Sequence, residues 1–575
     1  MRIAFSSIEP LESRIAPAAI FSFTDVDGDR VKIVVSKGTN ADLAADGVVN
    51  LTNAAQAAIG KGHELQALNL GAVFAGATVT ITATPSKDLS APGEPAKGDG
   101  FTNVGLINAP AIDLGSVKIA GDLGKILVGD DNSRNKTVGL GSLSVRSMGN
   151  YGISTQAGAT PDLISRFENG VGSISVAGNV KEVFLRATAT GALPTAKIGS
   201  VTIAGSLVGG AADDSGQILA SDGIGTVKIN GNLVGSSGKQ SGRIGTSTGG
   251  TIGKVTIGGT IFGGSDNFSG SIDSGAGIAS VSVKGDLVGG SAFKTGVIQA
   301  KTSIGSVTIG GSVIGGSFTE TGGIESDGSI GKVKIGVDLR GRDFSSASNF
   351  KHTAFVLAET SIGSVVIGGS VLAANQSGGG ALKFSGAIQA GKDLGTVSIG
   401  GGVLGNESTP VVISGFGQAV KRGSDLAIKG ISISGTVERA LIQGGYSTDG
   451  VAGNGDAQIG AIKIGGDLIA TSIVAGVVST DAFFGNFDRV ITAGNTAGIV
   501  SKIVSLTVGG QIMGTVDPGP PTLQSVDVFG IEAQFIGSIT TGSTKLKFNA
   551  GNGNDDFRLS RTTIRDVHVV ELPGV

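Results

Sequence analysis

Asp273 and Glu325 occupy equivalent places in copies of one short phrase, with Gln299 at the same place between them. Paired carboxyl groups are the minimum equipment for glycoside hydrolysis, one held protonated and the other ionised. If the copies stack as neighbouring strands, two steps of roughly 4.8 Å separate the pair by about 9.6 Å. That is close to the upper limit of about 9.5 Å for an inverting pair. Acids are sparse elsewhere in the same column, where Asn108, Gly245 and Gln389 stand. The alternation of the strand points Asp273 and Glu325 outward, so both are expected on an open, solvated face with ordinary acid strengths. The chain has no Trp to stack on a sugar ring and no Cys, which excludes disulfides, thiolate zinc sites and cysteine nucleophiles. His63, His352 and His568 lie far apart and form no metal-binding pair by spacing.

Two further sets of acids bear on metals. Asp25, Asp27 and Asp29 alternate, and carboxylate oxygens are calcium ligands. An EF-hand loop from Asp25 would need Gly at Arg30 and Glu at Ser36, so the set reads as a turn with solvated acids. Near the C-terminus, Gly551, Gly553, Asp555 and Phe557 match one calcium-binding nonapeptide, with Ala550 in place of its first Gly. The segment resembles a single repeat of the RTX type. Such sites need a stacked second copy, which is absent, and a Gly-Asn turn is the plainer reading. No cofactor is expected; calcium at Asp25, Asp27, Asp29 or Asp555 is the one candidate.

Composition narrows the class. Glycine supplies 101 of 575 residues, about 18% against a usual share of roughly 7%. Hydrophobic residues make up 40%, enough for a core, and the net charge of −3 gives no sign of a nucleic-acid partner.

The elements that position these residues come from one repeated phrase. It reads Ile198-Gly-Ser-Val-Thr-Ile-Ala-Gly-Ser-Leu-Val-Gly-Gly210 and returns at Ile224, Ile252, Ile278, Ile304, Ile330, Ile362, Leu394, Ile428 and Ile459. Fainter copies begin at Leu114, Leu140, Val171, Ile503 and Leu523. The V-x-I core alternates with period 2 and so reads as a strand. A second strand follows at Leu207-Val208. A third precedes the next phrase, as in Val297-Ile-Gln-Ala300. A period of 26 residues from Ile252 to Ile330, with three strands and glycine turns, predicts a right-handed parallel β-helix, a β-solenoid of about fifteen coils in an all-β chain. Phe268, Phe293, Phe318 and Phe384 fall at nearly matching places and are expected to form an internal aromatic ladder. After Ile330 the steps lengthen, and the extra residues are expected to loop out. The outward positions, such as Ser200/Thr202, Thr226/Lys228, Lys254/Thr256 and Lys332/Lys334, form two columns of hydroxyls interrupted by lysines. They read as a solvated sheet face. A regular hydroxyl face suits an ordered surface such as glycan, and the lysines break any ice-binding pattern.

The ends differ from the repeats. Residues 1–18 read as a targeting-like segment, 19–99 as a small β domain or N-terminal cap, 100–530 as the repeats and 531–575 as a C-terminal β cap. In the cap a hairpin is expected to turn at Asp27-Gly28. Leu11-Glu12-Ser13-Arg14-Ile15 resembles the LEPR-XLL segment at the N-terminus of large bacterial surface and secreted proteins, with Ser13 for Pro and Ala16-Pro17 for Leu-Leu. The resemblance implies export in a bacterium, to the cell surface or beyond. No apolar stretch could span a membrane; the one from Leu468 to Val478 is too short. The sequence therefore reads as an exported structural, adhesive or surface-layer repeat protein without catalysis, whose partners are cell-surface, matrix or glycan components. Parallel β-helices often belong to polysaccharide lyases and glycoside hydrolases, so a carbohydrate-active enzyme using Asp273 and Glu325 is the alternative.

Overall fold

The computed structural model describes residues 18–52, 62–85, 98–130, 138–156, 161–189, 196–418, 424–480, 484–486, 488–515, 528–559 and 566–574. The chain is an all-β parallel solenoid built as two compact units, residues 1–178 with 185–197 and residues 179–184 with 198–575. The targeting-like residues 1–17 lie outside the described residues.

In the first unit, Ala19–Thr24 and Arg30–Val35 form the hairpin expected at Asp27-Gly28, with Gly28 at φ 96°. Arg30–Val35 continues antiparallel to Thr78–Thr84. Thr78–Thr84 then pairs in parallel with Leu114–Gly129, placing Val79 beside Val117 and Ile81 beside Ile119. Glu64–Asn69 likewise pairs in parallel with Val104–Pro110. The coil ladder is thus already running before residue 99. The recurring phrase is missing there, but the β-branched alternation that a strand needs is present.

The second unit carries the regular repeat. Its main strands, among them Thr251–Ile257, Ile278–Val283, Ser303–Ile309 and Ser329–Ile335, pair in parallel with Val255, Val281, Val307 and Val333 in one column. All four are at most 2% exposed. The two-residue strands stack Leu207 on Leu233, Ile261, Leu287, Val313 and Leu339. The third strands stack Ile218 on Ile244, Ile272, Ile298 and Ile324. No coil could bury these side chains alone; stacking makes the core. The main strands carry two outward residues between the first inward Ile and the Val, and the extra one is glycine in most of them, with Ala279, Lys429 and Val504 as exceptions. A Cβ on Gly225 would lie 2.3 Å from the Gly199 carbonyl oxygen, so the phrase keeps Gly where successive backbones close in.

A tight turn leads into each third strand. Asp214, Gln240, Phe268, Lys294, Glu320, His352 and Phe384 all sit in the left-handed region, with φ between 53° and 60°. A hydroxyl residue follows each. Thr295 Oγ1 accepts the Gly290 N–H at 2.9 Å and donates to the Ala292 carbonyl at 2.9 Å. Thr321, Ser269 and Ser215 repeat the arrangement on their own coils.

Three expectations change. The phenylalanines do not make one internal ladder: Phe268 and Phe384 hold the left-handed turn position, while Phe293 and Phe318 fall one and two places earlier. They pair only locally, Phe268 edge-on to Phe293 at 5.6 Å and Phe318 tilted against Phe350 at 5.1 Å, and Phe318 is 38% exposed. The longer coils after Ile330 do not simply loop out. Phe344–Ser345 pairs in parallel with Gln376–Ser377, and Ala381 N donates to Asn349 Oδ1, so consecutive insertions stack on each other. The copy proposed at Leu523 lies outside the described residues; the main column instead continues from Leu506 to Ile539. Beyond it, Val567–Glu571 pairs in parallel with Phe529–Ala533 and antiparallel with Asp556–Leu559.

Thr295 is fully buried and satisfies a backbone N–H that has no other acceptor at hand. Thr295→Val keeps the shape and removes the acceptor. It is expected to cost about 1–3 kcal/mol in chemical denaturation; an unchanged midpoint would show that the hydroxyl contributes nothing.

Candidate functional site

The third-strand register sets Asp273 beside Gln299 and Gln299 beside Glu325, as the repeat spacing required. Their surroundings are not those of an open face. Side-chain exposure is 13% for Asp273 and 15% for Glu325. Arg243 clasps Asp273 with Nε and Nη2, one on each carboxylate oxygen, and its Nη1 donates to Gln240 Oε1 at 2.9 Å. Lys294 Nζ lies 2.8 Å from Glu325, 3.3 Å from Glu320 and 3.1 Å from Gln299 Oε1. Burial alone would lower both cations' pKa values. The Asp273 carboxylate outweighs this for Arg243, and Glu325 with Glu320 for Lys294, so both end above their ordinary values.

The turn geometry explains the cover. Gln240, Lys294 and Glu320 project from left-handed corners over the outward column of the third strand. Arg243 stands on the same strand face as Gly245 and reaches the next coil diagonally. Alternation alone could have indicated Arg243. Lys294 could not be placed without the positive φ. The chemistry that results is charge neutralisation: each carboxylate has its own cation, and neither is arranged to share a proton with the other.

One coil system further on, His352 is 4% exposed. It stacks on Phe384 at 5.0 Å and meets Gln389 Oε1 through Nε2 at 3.1 Å. Gln389 Nε2 donates to the Thr448 carbonyl, which leaves its oxygen to accept and assigns the imidazole proton to Nε2. Burial pushes His352 down to about 4, so it is neutral at pH 7.

A buried acid pair occupies the end of the second unit. Glu532 is 1% exposed and its pKa is pushed up to about 9 by burial and by Asp488. Asp488 is raised as well, by burial, although it accepts the Gly485 and Asn486 N–H groups at 2.6 and 3.0 Å. Asp488 Oδ1 and Glu532 Oε2 are both buried without a donor. A proton held on Glu532 supplies the missing hydrogen bond between them. Around the pair lie Tyr446, Val474, Val477, Phe484 and Val490, and Tyr446 donates to the Val477 carbonyl at 2.7 Å.

In the first unit, the hairpin turn brings Asp25, Asp27 and Asp29 together, with ligand atoms within 4.8 Å of one another. Asp25 is pushed up to about 8, mainly by burial and then by Asp27. These oxygens already serve the backbone: Asp29 N donates to Asp25, Gly100 N to Asp29 and Asp99 N to Asp27. The turn borders a cavity of about 300 Å³ that Glu64, Asp99, Asp122 and Tyr151 also line. Arg146 stacks over Phe101 there, 3.4 Å from the ring centre. Asp555, the other calcium candidate, accepts from Asn549 N at 2.9 Å and Asn549 Nδ2 at 2.8 Å, and so closes a turn.

The outward face of the main sheet is the remaining surface. Lys228, Lys254, Lys332 and Lys334 are exposed on it, as the alternation predicted. Among the described residues no helix is long and apolar enough to cross a membrane. Compared with known proteins, the chain matches no family model, no curated protein and no solved structure.

Two outcomes follow from this chemistry. Between about pH 4.5 and 9, Glu532 is protonated in the fold and ionised in the unfolded chain, so stability falls as pH rises across that window. Glu532→Gln should exceed the parent by on the order of 2 kcal/mol at pH 8 and match it at pH 4. Denaturation curves at the two pH values check this, and a pH-independent difference would refute the shared proton. Because the Asp25–Asp29 and Asp555 oxygens already hold backbone or amide donors, millimolar calcium should shift Tm by less than about 2 °C. A rise of many degrees in calorimetry would show a real calcium site.

Proposed function

We propose that this chain is an exported bacterial repeat protein with a structural, adhesive or surface-layer role, and that it performs no catalysis. The observation that carries the reading is the fate of the one carboxylate pair whose column suited hydrolysis. Asp273 and Glu325 are each held by a separate cation, Arg243 and Lys294, within a continuous parallel stack. A glycosidase needs one carboxyl kept protonated and one kept ionised across a cleft that admits the sugar. Here a guanidinium closes on one member and an ammonium on the other, and both carboxylates are largely covered. What a stacked solenoid offers instead is a long regular surface and a core that resists local opening, since each coil is hydrogen-bonded on two sides. Export rests on the resemblance at Leu11–Ile15.

Fractionation of the producing cell, with the native protein followed by antibody, tests the location. The expected result is recovery in the surface or medium fraction, and a purely cytoplasmic protein would overturn export. Purified protein incubated with a broad polysaccharide panel tests the absence of catalysis. Depolymerisation that vanishes in Asp273→Ala or Glu325→Ala would install the carbohydrate-active enzyme in its place.

A further inference from the structure

We propose that the outward face of the main sheet in the second unit is a docking surface for an acidic polysaccharide, laid along the stack with its anionic groups on a row of unpaired lysines. The proposal rests on the extracellular reading above and adds the partner's chemistry to it.

The face is made by the main strands from Ile198 to Val508, held in register coil by coil. Its two central columns run Ser200, Thr226, Lys254, Ser280, Ser306, Lys332, Ser364, Thr396 and Thr202, Lys228, Thr256, Ser282, Thr308, Lys334, Val366, Ser398. Lys284 and Lys429 lie beside these columns, and Lys463 extends the second. All seven lysines are exposed. Among the described residues none of them forms an ion pair. No Asp or Glu holds an outward position on any of these main strands.

The chain as a whole is slightly acidic, with net charge −3, so this segregation is not a reflection of composition. Elsewhere in the same unit several cations are matched: Arg243 with Asp273, Lys294 with Glu325, Lys301 with Asp327, Lys351 with Asp449. The carboxylates nearest the face lie at its edges and are engaged. Asp286, Asp338 and Asp467 accept the backbone N–H groups of Ser312, Ser370 and Gln511 at 2.7, 2.7 and 2.8 Å. Asp393, on the other edge, accepts from Gln418 at 2.6 Å.

Rungs about 4.8 Å apart bring Lys228 and Lys254 onto neighbouring strands, with Lys332 and Lys334 a few rungs along. Spaced point charges of this kind suit a flexible chain that carries one anionic group every sugar or two. Each exposed contact is individually small and screened by salt, so affinity depends on several acting together. The intervening Ser and Thr hydroxyls offer donors and acceptors to sugar hydroxyls without adding charge. Flatness matters too: the outward side chains between the lysines are short, and the column glycines leave the backbone close to the surface.

The test uses full-length protein and four probes: polygalacturonate, dextran sulfate, neutral dextran of matched length and duplex DNA. Kd is measured at low and at physiological salt. The comparison is between the face variant Lys228→Ser/Lys254→Ser/Lys332→Ser/Lys334→Ser and a charge-matched control, Lys239→Ser/Lys301→Ser/Lys351→Ser/Lys383→Ser. Serine already occupies these columns, and Tm confirms that the fold persists; the double variant Lys332→Ser/Lys334→Ser repeats the test with less change. The expected result is binding of the two acidic polysaccharides but not neutral dextran, weakened by salt, reduced at least about tenfold in the face variant and unchanged in the control. Equal losses in both variants, no binding at low salt, or tighter binding of DNA than of either acidic polysaccharide would overturn the proposal. Polysaccharide binding by a protein that fractionates in the cytoplasm would remove the export reading and leave the docking face. A surface-located protein that does not bind would do the reverse.

Discussion

The register between coils depends on a ladder of side chains that catch the backbone of the next coil at the corner after the main strand. Asn179 Oδ1 accepts from Ser206 N at 2.8 Å, Ser206 Oγ from Asn232 N at 3.0 Å, and Asn232 Oδ1 from Thr260 N at 2.9 Å. Thr260, Asp286, Ser312, Asp338 and Ser370 continue the chain to Gly402. Amide or carboxylate alternates with hydroxyl, so a longer and a shorter acceptor take turns. The constraint behind this is strict: a corner N–H leaves the strand ladder and must be met by something else. A one-residue slip would leave every corner donor unmet and turn the V-x-I columns outward. Corner chemistry and the apolar columns therefore specify one register together.

How much of this could be read from residues depended on whether the determinant was local. The V-x-I columns and the hairpin at Asp27-Gly28 are written in alternation and in turn chemistry, which act over a few residues. The column shared by Asp273, Gln299 and Glu325 followed from spacing alone. Their burial did not, because it comes from Lys294 and Gln240 held at positive φ, a conformation that those residue types disfavour and that only the surrounding stack imposes. The phenylalanines misled for the same reason: a shift of one place at a left-handed corner redirects a ring. The convergence of Asp25, Asp27 and Asp29 was legible as alternation, but the burial of Asp25 and Asp29 was not, because it comes from residues distant in sequence: Gly62 lies against Asp25, and Gly98 and Gly100 against Asp29. The acid pair Asp488 and Glu532 gave no signal at all, since the two residues meet only through chain return.

The longer coils show how the stack tolerates insertion. In the two coils after Ile330 the added residues enter the turn between the second and third strands, and they pair with each other at Phe344–Ser345 and Gln376–Ser377; from Leu394 onward the additions follow the third strand instead. The loop at Tyr446–Gly450 travels further. Its Thr448 hydroxyl donates to Glu359 and its carbonyl accepts from Gln389, so it lies across coils that precede it by dozens of residues. His352 sits beneath it, neutral and stacked on Phe384. Its lowered pKa makes stability fall as pH drops from about 6.5 to 4, opposite in sign to Glu532. The two windows overlap between about pH 4.5 and 6.5, where the two effects oppose each other.

Charge is arranged by face rather than by residue count. At the left-handed corners, opposite charges are interleaved between adjacent coils, and a partly buried ion stays where it is only because a partner from the next coil neutralises it. On the main sheet the side chains project into water from a flat surface, so like charges meet only the mild repulsion of a high dielectric. A lysine there has no structural need for a partner, whereas an unpaired lysine at the corner would be expelled. The same repeat can therefore hold its interior edge under tight electrostatic control while its outer columns remain free to vary, and it is on such columns that a sequence can change its binding chemistry without disturbing the register beneath.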